Sequence, residues 1–221
     1  VSCCNLNPSL QTPSRMAFLD TQPALGYPLA AALGLAVGSF LNVVILRLPR
    51  RLEWEWRRDA REILELPELY DPPPPGVVVE PSHDPVTGDR LKWWENIPVF
   101  SWLALRGRSR YSGQKISIQY PLVELLVGLL TVLCARRFGF GWQGFGAMVF
   151  TWFLVALSGI DLRTRLLPDQ LTLSLMWLGL IASLDRLFID PKPALLGAIA
   201  GYVSLWSVWW LFKQVTGKEG M

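Results

Sequence analysis

The sequence predicts an all-α integral membrane protein, with about five transmembrane helices and a mixed polar loop domain between the first two. Three observations predict it. Apolar residues make up 51% of the 221 positions, charged residues only 18%, and mean hydropathy is +0.30, whereas soluble chains carry about 25% charged residues. The apolar residues are gathered into long runs nearly empty of charge. There are 11 Trp, a ring type that anchors at membrane–water interfaces. The same composition excludes disorder, which needs low hydrophobicity and high charge. With three Cys, one of them in an apolar run, it also excludes a disulfide scaffold. A net charge of +3 is too small to argue for a nucleic-acid partner.

Five runs approach the length of about 20 apolar residues that spans the hydrocarbon core. Residues 25–46 carry no charge, 116–135 only Glu124, 142–160 none, 166–184 only Asp169 near the start, and 194–212 none. A soluble protein burying five such helices would need a polar shell for which this chain has no residues left.

Residues 47–115 form the polar loop domain, with twelve of the 21 Lys and Arg and eleven of the 18 Asp and Glu. Arg51 to Glu65 (RLEWEWRRDAREILE) reads as an amphipathic helix lying near the membrane surface. The run Asp71 to Pro75 (DPPPP) is expected to end it, because Pro cannot continue a helix. Beyond it, VVVEPSHDPVTGDRLKWW reads as two short strands joined by a turn at Thr87 and Gly88.

Counting basic residues in loops orients the chain. With the large loop, the Arg163/Arg165 turn and the tail 213–221 inside, 16 basic residues lie inside and five outside (Arg15, Arg136, Arg137, Arg186 and Lys192). Residues 1–24 precede the first span. Their first 15 read either as a disordered outer tail or as an upstream extension of a chain starting at Met16. No basic stretch leads directly into an apolar run, so no cleaved signal peptide is expected.

Few residues can carry chemistry. Asp161 closes the third run, and an ionisable residue at a membrane boundary is a functional candidate; the alternative is a solvated carboxylate beside Arg163 and Arg165. Asp169 follows Pro168 in a first helical turn, where the helix dipole favours a carboxylate, so its reading is structural before catalytic. Glu124, in QYPLVELL, needs a partner within the membrane, or else sits at a helix start after Pro121. His83 is the only histidine, and Cys3, Cys4 and Cys134 are scattered, so no Cys/His zinc spacing exists. Gly34 and Gly38 make a small-residue stripe for close helix packing.

Several segments together resemble a known family. They are GSFLNVVILRLPR (Gly38 to Arg50), WWENIPVFSWLALRGRSRYSG (Trp93 to Gly113), ISIQYPLVELL (Ile116 to Leu126), SGIDLRTRLLPDQLTL (Ser158 to Leu173) and WWLFKQVTGKEGM (Trp209 to Met221). In order and in register, from about residue 25 to the end, they are similar to the bacterial type IV prepilin leader peptidase/N-methyltransferases, and in particular to the cysteine-less type II secretion branch. The resemblance implies a multi-pass aspartic endopeptidase of the bacterial inner membrane. Such enzymes cut basic leaders from prepilins or pseudopilins just after a Gly, then methylate the new N-terminus with S-adenosylmethionine. Their partners are those substrates and the lipid bilayer. Asp161 matches the first of the family's two catalytic aspartates, and Glu124 is carried over as a residue contributing to the cofactor.

Two departures follow. The second aspartate lies in a G-x-G-D motif expected just after Met221, so this chain alone is expected to lack peptidase activity, since a dyad needs one carboxylate as base and the other as acid. Asp169 is a poor substitute: eight residues of continuous helix would set it about 12 Å from Asp161. The non-catalytic alternative is a truncated pseudo-enzyme that binds pseudopilins; a transporter would need paired ionisable residues or broken helices at the midplane. Secondly, many members hold zinc with two C-x-x-C pairs. The corresponding positions here are Asp84, Thr87, Ser109 and Ser112, so no zinc is expected. Packing of Trp93, Trp94, Ile97 and Trp102 is expected to hold the loop instead. Glu62, Glu65, Glu68 and Asp71 could attract a basic leader, or be an ordinary solvated face.

Overall fold

The computed structural model describes residues 19, 22–67, 71–77, 99–110 and 112–217. Six helices follow one another: α1 (Pro23–Ile63), α2 (Phe100–Ala104), α3 (Gln119–Phe138), α4 (Trp142–Thr164), α5 (Asp169–Leu184) and α6 (Pro191–Thr216). Among the described residues the one β feature is an isolated antiparallel bridge between Arg108 and Lys115. The N-terminal 15 residues, His83 and the two strands expected within 77–94 lie outside the described residues, apart from Val77.

Helices α1, α4 and α6 are long and apolar enough to cross a membrane. The run 116–135 corresponds to α3, of 20 residues. The run 166–184 corresponds to α5, whose 16 residues fall just short of the roughly 17 at the lower limit for a span.

The largest difference from the sequence reading concerns α1. Of the segment Arg51 to Glu65, the residues up to Ile63 are helical, but they are no separate surface helix: they are the end of one helix of 41 residues. Pro49 lacks an N–H, so Ile45 loses its usual donor. The helix continues because one buried stripe, Leu41, Ile45, Pro49 and Leu52, is anchored on both sides of the proline. The proline run does not end it either. Glu65 adopts a left-handed φ of 52°, and the Leu66 amide returns to the Arg61 carbonyl at 2.9 Å, the wrap that closes a helix C-terminus. The proline segment then runs back along α1. Trp54 Nε1 donates to the Asp71 carbonyl at 3.1 Å, and Arg47 to the Gly76 carbonyl at 2.8 Å.

The chain divides into two compact units, Val1–Pro168 and Asp169–Met221. In the first, α1 packs on α3 and α4 closes on both. A Cβ on Gly38 would stand 2.7 Å from the Glu124 Cα, and one on Gly34 would stand 2.8 Å from the Gly128 Cα. Those two glycines therefore let the helix backbones touch, as expected where lipid rather than water is the solvent. Polar cross-links add to this packing. Trp152 Nε1 donates to the Thr131 hydroxyl at 2.9 Å, and that hydroxyl donates to the Val127 carbonyl at 2.7 Å. In the second unit α5 packs against α6. Asp190 precedes α6, whose first residue is Pro191, and it pairs with Arg186 at an exposed position.

Candidate active site

The site begins with the end of α4. Ile160 is fully buried, which turns the next residue, Asp161, outward to an exposed position in the last helical turn. Arg165 ends the helix with a left-handed φ of 55°, and its amide donates to the Asp161 carbonyl at 2.8 Å. Among the described residues no side chain pairs with the Asp161 carboxylate. It stands exposed at the rim of the three-helix unit.

That rim is tied together across three helices. Arg163, two residues on, donates to the Gln119 side-chain oxygen at 2.6 Å, which fastens the end of α4 to the start of α3. Tyr120 follows, and its carbonyl accepts from Asn42 Nδ2 of α1 at 3.0 Å. The guanidinium groups of Arg163, Arg50 and Arg47 all act electrostatically on the Tyr120 hydroxyl. Basic residues of α1 and α4 thus gather where α3 begins, at the end that carries Asp161.

Glu124 lies one turn deeper in α3, on the same face as Tyr120. It is 6% exposed. Its Oε2 accepts the Val99 backbone N–H at 2.6 Å, and Ser39 is a second hydrogen-bond partner. This buried carboxylate therefore faces the loop and α1. Nearby, Asn42 is 1% exposed, and its Oδ1 has no hydrogen-bond partner among the described residues.

The loop returns to α3 through a tight knuckle. Trp102 Nε1 donates to the Ile116 carbonyl at 3.2 Å, and its ring covers Gly107, whose φ of 69° suits glycine. Trp102 thus holds the loop as expected; Trp93, Trp94 and Ile97 lie outside the described residues. Ser109 and Ser112 occupy the knuckle, where the Ser112 amide reaches the Ser109 hydroxyl at 3.4 Å. Asp84 and Thr87 lie outside the described residues.

Asp169 opens α5, as its sequence context predicts. It belongs to the second unit, where it lines a shallow groove with Gln170, Ser174 and Trp177. Residues 165–168 interrupt the helix between α4 and α5, so a continuous helical rise from Asp161 does not apply. Sequence reading passed over Ser39, Asn42, Val99 and Gln119. Asn42 left a signal: an amide in a charge-free apolar run demands a partner. The others left none.

Residues 32–138 match the family model described as Bacterial Peptidase A24 N-terminal domain, and 148–221 match the one described as Type IV leader peptidase family. The prepilin leader peptidase/N-methyltransferase of Xanthomonas campestris pv. campestris is 76% identical over 206 residues, covering 93% of this chain and 72% of that protein. The chain belongs to the type IV leader peptidase family. Proteins of the same name from Stutzerimonas stutzeri and Pseudomonas putida are 49% and 47% identical, over 92% of this chain and 71% and 70% of theirs. No solved structure matches. Asn42, Val99 and Glu124 fall within the first matched region and Asp161 within the second, so the family resemblance spans both sides of the tied rim.

Proposed function

We propose that this protein is a membrane aspartic endopeptidase that removes the leader peptides of type IV prepilins or type II secretion pseudopilins, and that it N-methylates the new N-terminus. The observation that carries the reading is Asp161: an exposed carboxylate at the end of a helix of membrane-spanning length, inside the region matched to the family. The large loop and this rim face the cytosol of a bacterium, in keeping with the basic residues gathered there.

In this reading Asp161 is one of two carboxylates that work as a pair. One takes a proton from water as the water attacks the carbonyl of the scissile bond; the other gives a proton to the carbonyl oxygen. The leader leaves and a free amine remains on the mature chain. Arg163 and Gln119 hold the turn that carries Asp161, so they orient the carboxylate without touching the substrate.

S-adenosylmethionine would supply the methyl group for that amine. Glu124 would bear on that step through the loop it holds, because its buried carboxylate receives the Val99 amide and bonds Ser39.

The test expresses the protein from its full reading frame in inner membranes and supplies a pseudopilin with its leader. Cleavage after the leader glycine that is lost in Asp161→Asn supports the reading. Substrate that co-purifies uncut with wild-type protein would favour a binding protein instead.

A further inference from the structure

We propose that Glu124 is a positioning residue, a latch that fastens the loop between α1 and α3 to the end of the bundle bearing Asp161. A carboxylate buried in a membrane helix is costly and persists only with partners. Glu124 has two, and the one at 2.6 Å is a backbone amide 25 residues away in the loop.

The amide it holds is unusual. Val99 sits at φ 57°, a left-handed conformation that β-branched residues rarely adopt. Such a conformation survives where its surroundings over-determine it. Val99 is held from both sides: its amide by Glu124, and its carbonyl by the Leu103 amide at 3.0 Å in the first turn of α2. The chain then passes through the knuckle, where the Ile116 amide donates to the Gly107 carbonyl at 2.8 Å, and enters α3 at Gln119. The described loop residues 99–110 and 112–117 are therefore pinned at both ends to one helix.

The latch also reaches the other helices. Ser39 joins Glu124 to α1, Asn42 joins α1 to Tyr120, and Gln119 joins Arg163 of α4. Releasing Glu124 frees the loop at Val99 while the glycine-lined contact between α1 and α3 remains. The catalytic consequence, a loop displaced from the substrate path beside Asp161, rests on the functional reading above; the docking of the loop does not.

Two measurements on membrane-embedded protein test this. The first is tryptic cleavage at Arg106, Arg108 and Arg110, exposed loop sites whose cutting requires local opening. Glu124→Ala should speed cutting about tenfold or more, the loss of one charge-assisted bond. Glu124→Gln, which keeps an acceptor, should stay within about threefold of wild type. Should Glu124→Ala fail to insert, Val99→Pro removes the donor and also forces φ to about −65°, so it should be cut at least as fast as the Ala prediction. Val99→Gly keeps the donor, accepts the positive φ and should stay protected. Wild-type protection in Glu124→Ala or Val99→Pro overturns the latch, as does Glu124→Gln opening as readily as Ala. The second is leader cleavage from the full reading frame. Glu124→Ala should lower kcat with Glu124→Gln rescuing it, a pattern that mere loss of folded protein would not give. If Asp161→Asn still cleaves, the functional reading falls, and the proteolysis result still decides the latch.

Discussion

Arg163 of α4 donates to the side chain of Gln119, the first residue of α3, at 2.6 Å. This bond crosses 44 positions of sequence and fixes the helix end on which Asp161 stands. Such a polar tie sets one helix end against the next.

Asp161→Asn should reduce leader cleavage by about 10²–10⁴-fold, the range for removing an acid–base group. The protein should still insert and should keep its loop protected from trypsin. Gel-shift of a pseudopilin substrate in membranes measures it, and cleavage near the wild-type rate would refute the role given to Asp161.

Arg163→Ala should cost little stability, because the pair is exposed and such contacts contribute about 1 kcal/mol or less. Its effect should fall on rate: about a tenfold loss in kcat through misplacement of the neighbouring carboxylate. Steady-state kinetics beside a detergent melting curve separates the two. A large drop in melting temperature with kcat intact contradicts the assignment.

Gly38→Val should separate α1 from α3. Even a Cβ at this position would stand 2.7 Å from the Glu124 Cα, and backbone cannot swing aside as a side chain can. The expected cost is about 1–3 kcal/mol, the range for overpacking, read as lowered resistance to thermal unfolding in detergent. Gly179→Ala has no atom within 4 Å of the added carbon among the described residues. It should be neutral or stabilise by up to about 1 kcal/mol, because alanine is the better helix former.

Purified protein should carry no stoichiometric zinc. Ser109 and Ser112 offer hydroxyls, which are poor zinc ligands beside thiolates, imidazoles and carboxylates, and the Ser109 hydroxyl accepts the Ser112 amide. Elemental analysis after dialysis checks it, and one zinc per chain would show that other residues of the loop bind metal.

Trp102→Ala should loosen the knuckle by about 3 kcal/mol, because it removes a large ring and a hydrogen bond together. Trp102→Phe, which keeps most of the ring but not the N–H that reaches Ile116, should lose about 1 kcal/mol. The ratio of their tryptic cutting rates at Arg106 reports the difference; equal rates would mean that the hydrogen bond contributes nothing.

The sequence by itself determined the class of the protein, the apolar runs that become α1, α3, α4, α5 and α6, the glycine stripe at Gly34 and Gly38, and Asp161 as a boundary carboxylate. These are local properties: span length, charge depletion and small-residue spacing can be counted along the chain. The reach of α1 past Pro49 to Ile63 could not be counted, because it depends on which face is buried on either side of the proline. Nor could the partners of Glu124, Asn42 and Arg163. A helix that is apolar all round does not announce its inward face, and hydrogen-bond partners 25 to 78 positions apart are chosen by helix rotation. Only the packed bundle set those rotations, and with them it assigned Glu124 to the loop and Asp161 to the open rim.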